Sequence, residues 1–364
     1  MITQMFTLGK KAKGNAVFRR TALFFGHLKA IIWKETGKSD HKRGKNMRKT
    51  LPLMLVLVLF VFAFTGCADT KKLTLATGGT TGTYYSYGSA IATVLTDHSD
   101  LKITVASTGA SMANIELLRK GDAQIAIVQN DVAYYASTGT DLLQGEEPYE
   151  DLRMIATLYS EDVHIVAAKT ITDIADLRGK TVSVGDAGSG TEVNAWQVLD
   201  AYGISKEDIN AVNLGFGESS EALKSGKIDA FFAVSGSPAT YIANLSANYD
   251  FNLLSVDEEH YETLCNTYGF YVLETIPAQT YSNILQDTQV LAVKAVLVAD
   301  KSLGAETVHT FVKALFENQK ELESVHPKGA LLDESTALNG VSVPLHEGAL
   351  RYYEEIGEDV SMYE

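Results

Sequence analysis

Short apolar runs at 73–77, 102–107 and 124–128 are each followed by a stretch with helical spacing, and a run at 154–158 closes the series. Strands alternating with helices in this way predict a mostly parallel sheet with helices on both faces. After 164–168 the rhythm restarts at 181–184, 211–214, 229–234 and 251–256, which reads as a second sheet. Two segments are placed to cross between the sets: 155–167, through Tyr159, Ser160, Glu161 and Asp162, and the β-rich stretch 290–299. Helical patterns at 305–317, 320–324 and 345–355 finish the chain and are expected to pack back on the first set. No long Pro/Gly linker separates the two sets, so the hinge is predicted to be strand-like, permitting closure without independent tumbling.

The turns carry the candidate chemistry. The first strand runs into Thr77-Gly78-Gly79-Thr80-Thr81-Gly82-Thr83-Tyr84-Tyr85, which opens a helical stretch to Leu95. A related turn, Gly185-Asp186-Ala187-Gly188-Ser189-Gly190-Thr191, joins strand 181–184 to a helix over 192–202. Bare N–H groups at a helix N-terminus make a ready anion site, so two such turns suggest two half-sites closing on one small polar ligand. A weaker internal echo places a Gly cap before a strand at Gly121 and again at Gly226. The strands that follow end in Gln129-Asn130-Asp131 and in Ser235-Gly236-Ser237-Pro238, at the C-terminal edge where open α/β sheets bind ligands.

Ahead of the sheets, the uncharged apolar run 51–64 follows Met47-Arg48-Lys49 and precedes a small-residue site. This is the order of a secretory signal and is too short to span a membrane. Phe64-Thr65-Gly66-Cys67 is similar to a lipobox with Phe64 where Leu is usual, so Cys67 is expected to be the acylated first residue of an exported lipoprotein. Residues 47–66 are then the signal peptide, and 1–46 are either a mis-assigned extension ahead of Met47 or a basic cytoplasmic segment.

Removing the leader changes the charge picture. Residues 1–66 hold 13 of the 31 Lys and Arg but 2 of the 45 Asp and Glu, leaving 18 basic against 43 acidic residues, a net charge near −25. Such a chain disfavours nucleic acid, and any anion site in it must be local, made from dipoles and hydroxyls. With Cys67 acylated, Cys265 has no disulfide partner and reads as a packed small hydrophobe.

Enzymatic readings find little support. There is no Walker lysine after the Gly-rich turn and no G-x-S-x-G elbow, and His98, His164, His260, His309, His326 and His346 are scattered without zinc-ligand spacing. No catalytic residue, metal or cofactor is therefore expected. Glu161, Asp162 and His164 read as a polar hinge with at most a contact to a ligand ammonium. Tyr84 and Tyr87 share a helix face while Tyr85 points elsewhere, so at least one is core; Tyr84 or Tyr85 is favoured as a ligand wall.

Together Ala76-Thr77-Gly78-Gly79-Thr80-Thr81-Gly82-Thr83-Tyr84-Tyr85, Ser107-Thr108-Gly109-Ala110-Ser111, Asp176-Leu177-Arg178-Gly179-Lys180 and Gly188-Ser189-Gly190-Thr191-Glu192 resemble the TAXI family of TRAP-transporter solute-binding proteins. The resemblance implies an α/β, two-lobed periplasmic-binding-protein fold of class II with two crossover hinge strands. One lobe would comprise residues 67–162 and 289–364, the other 163–288. It implies capture of a glutamate-like carboxylate or amino acid and delivery to an ion-gradient-driven TRAP membrane subunit, outside the cytoplasm, from a lipid anchor on a bacterial membrane. Carried over by position, the expected ligand contacts are Gly82, Thr83, Tyr84 or Tyr85, Ser107, Ser111, Asn114, Ser189, Gly190 and Thr191, joined by Gln129, Ser235 and Gly236 from the strand ends. A receptor for an ATP-driven importer of thiamine precursors or sulfonates, and an enzyme on the same fold using Cys265, are the alternatives.

Overall fold

The structure, a computed structural model, describes residues 71–363; the expectations for the signal peptide and Cys67 lie outside these residues. The first strands are β1 (Lys71–Ala76), β2 (Leu101–Ala106) and β3 (Ile125–Gln129), all parallel, with helices α1 (Thr83–His98), α2 (Ser111–Lys120) and α3 (Asn130–Thr138) following them in turn. Every residue of β3 is buried, as expected for a strand covered on both faces. In α1 the buried Tyr84, Tyr87, Ile91 and Leu95 recur at helical spacing. Gly88 lets this helix approach the strand end closely, since a Cβ there would lie 2.6 Å from Thr77 Cγ2.

Two long strands then tie the molecule together. β4 (Leu152–Ala168) has 17 residues, a reach of about 55 Å, and is the segment whose middle carries Ser160, Glu161 and Asp162. Its later half pairs antiparallel with β7 (Ala230–Ser235) and the short β8 (Phe251–Leu253), and β7 continues the sheet through β5 (Thr181–Ser183), parallel to it and to β6 (Asn210–Val212). This half carries α4 (Gly190–Ala201), α5 (Phe216–Lys224), α6 (Thr240–Ser246) and α7 (Glu258–Tyr268). After β9 (Val272–Ile276) the chain returns along β10 (Thr288–Asp300), antiparallel to β4 through Ala292–Asp300, to β9 through Thr288–Ala292 and to β3 through Ala295–Ala299.

The result is one ten-stranded mixed sheet, β2-β1-β3-β10-β4-β7-β5-β6, with β8 beside β4 and β9 beside β10. The sequence reading of two sheets and a mostly parallel arrangement is corrected here: the polar residues 160–162, which look like a break, sit inside a continuous strand. They are tolerated there because each finds a partner, with Tyr84 against Glu161 and Lys294 and Glu274 against Ser160. β9 escaped the pattern because Val272 and Leu273 lie on an exposed edge.

The core divides between the two halves. One cluster, with Leu75, Ile91, Ile127, Leu297, Phe311 and Tyr353, draws on 73–159 and 295–360 plus Val193. The second half packs on both sides of its strands, so neighbours in β7 face opposite ways: Phe232 joins Val182, Val198 and Leu264, while Phe231 joins Leu223, Ile242 and Tyr281. The closing helices α8 (Ala305–Glu317), α9 (Gln319–Val325) and α10 (Glu347–Ile356) pack on the first half as expected, where Tyr353 donates to the Ile155 carbonyl at 3.1 Å.

Candidate functional site

Five helices begin at one cleft between the two lobes. The residues lining it include Gly82, Thr83 and Tyr84 at the start of α1, Ala110 and Ser111 at α2, and Gln129 just before α3. The second lobe adds Ser189, Gly190 and Thr191 at α4 and Gly215 and Phe216 at α5. The cavity left between the lobes measures about 60 Å³, room for a few atoms only, because the lobes touch across it. Four of the five N-caps, Gly82, Ala110, Gln129 and Gly215, supply no side-chain cap; at the fifth, Ser189 Oγ accepts from the Glu192 N–H at 3.1 Å. Each N-terminus carries roughly half a positive charge on its orphan N–H groups. Among the described residues no Lys or Arg lines the cleft, so positive potential at its walls comes from these dipoles.

The lobes touch across the cleft. The Ala113 N–H donates to the Gly188 carbonyl at 3.2 Å, and Gln129 Nε2 donates to Asn194 Oδ1 at 3.0 Å. Gly190 permits the second contact, because a Cβ there would collide with the Gln129 carboxamide. Phe216 supplies an apolar wall, stacked on Tyr241 with ring centroids 4.9 Å apart.

Against this positive field stands an acidic floor. Glu161 is buried, lines the cleft and accepts from the Tyr84 hydroxyl at 2.6 Å. Burial pushes its carboxyl up to about 8, opposed by the Tyr84 hydrogen bond and the charge of Lys328. Behind it, burial raises Asp162 to about 6 and lowers His164 to about 4; His164 Nε2 sits 2.8 Å from the Tyr281 hydroxyl. Lys328, itself lowered by burial, crosses from the first lobe to donate to the Ser237 carbonyl at 2.9 Å. Asp186 lines the second-lobe side beside Gly79 and Gly215, and burial raises it.

Of the residues singled out from sequence, Gly82, Thr83, Tyr84, Ser111, Gln129, Ser189, Gly190, Thr191 and Ser235 line the cleft. Tyr85 does not: it is half-buried on another side of α1, and Tyr87 is core. Ser107 is exposed and donates to the Gly78 carbonyl at 3.0 Å, shaping the turn. Asn114 is fully buried; its amide donates to the carbonyls of Thr77 (2.6 Å) and Ile127 (2.8 Å) and its oxygen accepts from Thr108, which leaves it nothing for a ligand. Gly236 serves a different end, since a Cβ there would run into the Lys328 side chain. Thr81 and Ala110 lie within the 80–85 and 107–114 turns expected at the cleft and do line it; Gly78, Gly79, Asp186, Gly215, Phe216 and Val234 were missed as lining, and Glu161 was read chiefly as hinge. The start of α5 carried a signal, Leu214-Gly215-Phe216 after a strand, that could have been read as a third turn of the same kind.

Cys265 lies in α7, outside the cleft, with its thiol donating to the Tyr271 carbonyl at 3.2 Å. Among the described residues no three His, Cys, Asp or Glu stand together as a metal site, and no helix is long and apolar enough to cross a membrane.

Two lobes joined by paired long strands, with helix N-termini turned into the cleft between them, define a protein of the periplasmic-binding-protein type. The chain belongs to the NMT1-like family, whose sequence model matches residues 75–357; the match gives the family and not the TAXI subtype. Solved structures similar to this chain include the alkanesulfonate-binding protein SsuA from Xanthomonas axonopodis pv. citri bound to MOPS. It is 14% identical, with 80% of this chain and 92% of that one covered and a TM-score of 0.45. The periplasmic aliphatic sulphonate binding protein SsuA from Escherichia coli is 13% identical, covering 78% and 83%, with a TM-score of 0.40. An ancestral arginine-binding protein bound to arginine is 17% identical, covering 71% and 97%, at 0.45. Likenesses this distant say nothing of ligand or partner.

Proposed function

We propose that this protein is an extracytoplasmic solute receptor, anchored through Cys67, that captures a small solute bearing an acidic group and hands it to an integral membrane importer. The observation that carries the reading is the convergence of five helix N-termini on one cleft without a basic side chain. Such dipoles hold a carboxylate or sulfonate, each hydrogen bond contributing on the order of 1 kcal/mol, and they hold it best when both lobes contribute. Closure is then favoured by the contacts that only the closed form makes, and the closed form is what the importer would recognise.

The solute we favour also carries hydrogen-bond donors. Asp186 and the Gln129 carboxamide oxygen line the cleft as acceptors, and that oxygen is buried without a protein partner. An amino acid or an aminosulfonate has both features, whereas a simple dicarboxylate would leave these acceptors without a donor. As the importer we favour an ATP-driven one over the ion-gradient-driven TRAP class, since the family match does not bring out the TAXI subtype.

The test is thermal unfolding of the purified protein with glutamate, glutamine, 2-oxoglutarate, succinate, taurine and ethanesulfonate. A ligand at a hundred times its Kd should add about 2.7 kcal/mol. No shift with any of them would sink the acidic-solute reading. An ATPase gene or a TRAP membrane-subunit gene beside this one decides between the importers.

A further inference from the structure

Seven residues form a buried polar chain across the lobes beside the cleft. From the first lobe come Gln129, Asp131, Tyr135 and Asp141, and from the second come Asn194 and Gln197 of α4 and Tyr271. Every direction in this chain is fixed by its ends. Asp131 lies at the start of α3 and, as a carboxylate, can only accept; Asn194 Nδ2 donates to it at 2.7 Å and to the Tyr271 hydroxyl at 2.8 Å. Tyr271 therefore spends its own proton on Gln197 Oε1, and this agrees with the other end, where Gln197 Nε2 donates to Asp141 and to the Tyr135 hydroxyl. With its NH₂ committed, Asn194 has only its oxygen left for Gln129. It accepts from Gln129 Nε2, and Gln129 keeps its oxygen at the cleft lining against Gly190, buried and without a protein donor.

We propose that Asn194, which does not line the cleft, is a positioning residue for ligand selectivity: it relays the acceptor character of Asp131 to Gln129, so that the cleft presents an acceptor to a ligand N–H or O–H. Reversing the Asn194 amide would set its oxygen against Asp131 and turn the Gln129 NH₂ toward the ligand. The inference rests on the receptor reading and deepens it, because it names which atom of a bifunctional amide the ligand meets. Gln129 is held further by its backbone N–H, which donates to Ser111 Oγ at 3.1 Å, and by the bare face of Gly190 against its carboxamide.

The experiment measures affinity by calorimetry for two matched pairs, glutamate with glutarate and taurine with ethanesulfonate, on the wild type, Asn194→Leu and Asp131→Asn. The second variant is isosteric and preserves packing if the first folds poorly. The expected result is that the wild type prefers an amine-bearing probe to its des-amino partner by about tenfold or more, and that both variants reduce this ratio toward one. If Asn194 only fastens the lobes together, both members of a pair weaken by the same factor and the ratio stays, which overturns the inference. A wild type that binds the des-amino probes as tightly as their partners overturns it too, and leaves the receptor reading standing. Binding of none of the four by the wild type overturns the inference, while the receptor reading falls only if the wider panel of solutes also fails.

Discussion

The hydroxyl of Tyr84, in the first turn of α1, donates at 2.6 Å to Oε2 of Glu161, in the middle of β4. Both side chains are buried, and the bond ties the glycine-rich turn of the first lobe to a strand that runs through both. Burial raises both groups, the Tyr84 phenol well above its ordinary value, so the phenol keeps its proton and is always the donor.

Tyr84→Phe removes that donor without emptying the space beneath it. A hydrogen bond to a charged acceptor is worth about 1.5–3 kcal/mol and one to a neutral acceptor about 1. Glu161 changes from neutral to charged around pH 8, so the destabilisation should be near the lower value at pH 6 and near the upper at pH 9. Urea unfolding at the two pH values reads the difference; an equal loss at both would assign it to packing alone.

Glu161→Gln should reverse an alkaline weakness of the wild type. The folded pKa of about 8 lies above the ordinary 4.5, so the folded state keeps a proton that the unfolded chain releases. Its contribution is fully present below 4.5 and is lost as pH rises through 8. Between pH 7 and 9 the wild type should lose on the order of 1 kcal/mol through this group, and the glutamine variant should not. Parallel stability curves for the two proteins across that interval would show Glu161 to be ionised at neutral pH.

The strand–helix alternation made most of this architecture legible in the sequence. The two crossing strands at 155–167 and 290–299 were readable as long β-rich segments, and helix 305–317 was placed with the same bounds as α8. The turn chemistry at Gly82 and Ser189 likewise pointed to the cleft. What stayed hidden depends on contacts distant in sequence. Nothing near Asn114 indicates that its amide is consumed by Thr77 and Ile127, and nothing near Gly236 indicates that Lys328, 92 positions on, fills the space a side chain would take. Asn194 and Gln197 look like ordinary polar helix positions; their one-turn neighbourhood is apolar, and their partners Asp131, Tyr135 and Asp141 come from the other lobe.

Gly190→Ala tests the closed contact between the lobes. The added methyl falls on the Gln129 carboxamide and lies 2.9 Å from Ser111 Oγ. Gly190 is the first residue of α4, outside the helix interior where alanine is preferred, so the displaced Gln129–Asn194 hydrogen bond should set the effect on stability, a loss of about 1 kcal/mol. Affinity for whichever probe binds the wild type should fall by tenfold or more, an effect of about 1.4 kcal/mol. Unchanged affinity in calorimetry would mean that the Gln129 carboxamide can move aside at no cost, and that its contact with Gly190 is not needed for closure.

Ala110 is the one lining residue whose backbone is strained. At φ 70° and ψ −142° it occupies a region that glycine enters freely and a Cβ disfavours, immediately before α2, with its N–H held by Thr108 Oγ1 at 3.0 Å. Such a conformation costs about 1–3 kcal/mol and persists only where its surroundings impose it. Ala110→Gly relieves the strain but adds freedom to the unfolded chain, which returns about 0.4–1 kcal/mol. The net expectation is a gain of about 1 kcal/mol in urea unfolding. Affinity should move the other way by a fewfold, because glycine lets the first N–H groups of α2 wander from the direction in which alanine holds them. Stability that rises while affinity stays constant would separate the strain from the site, and loss of stability would show that the alanine methyl contributes more by packing than its backbone costs.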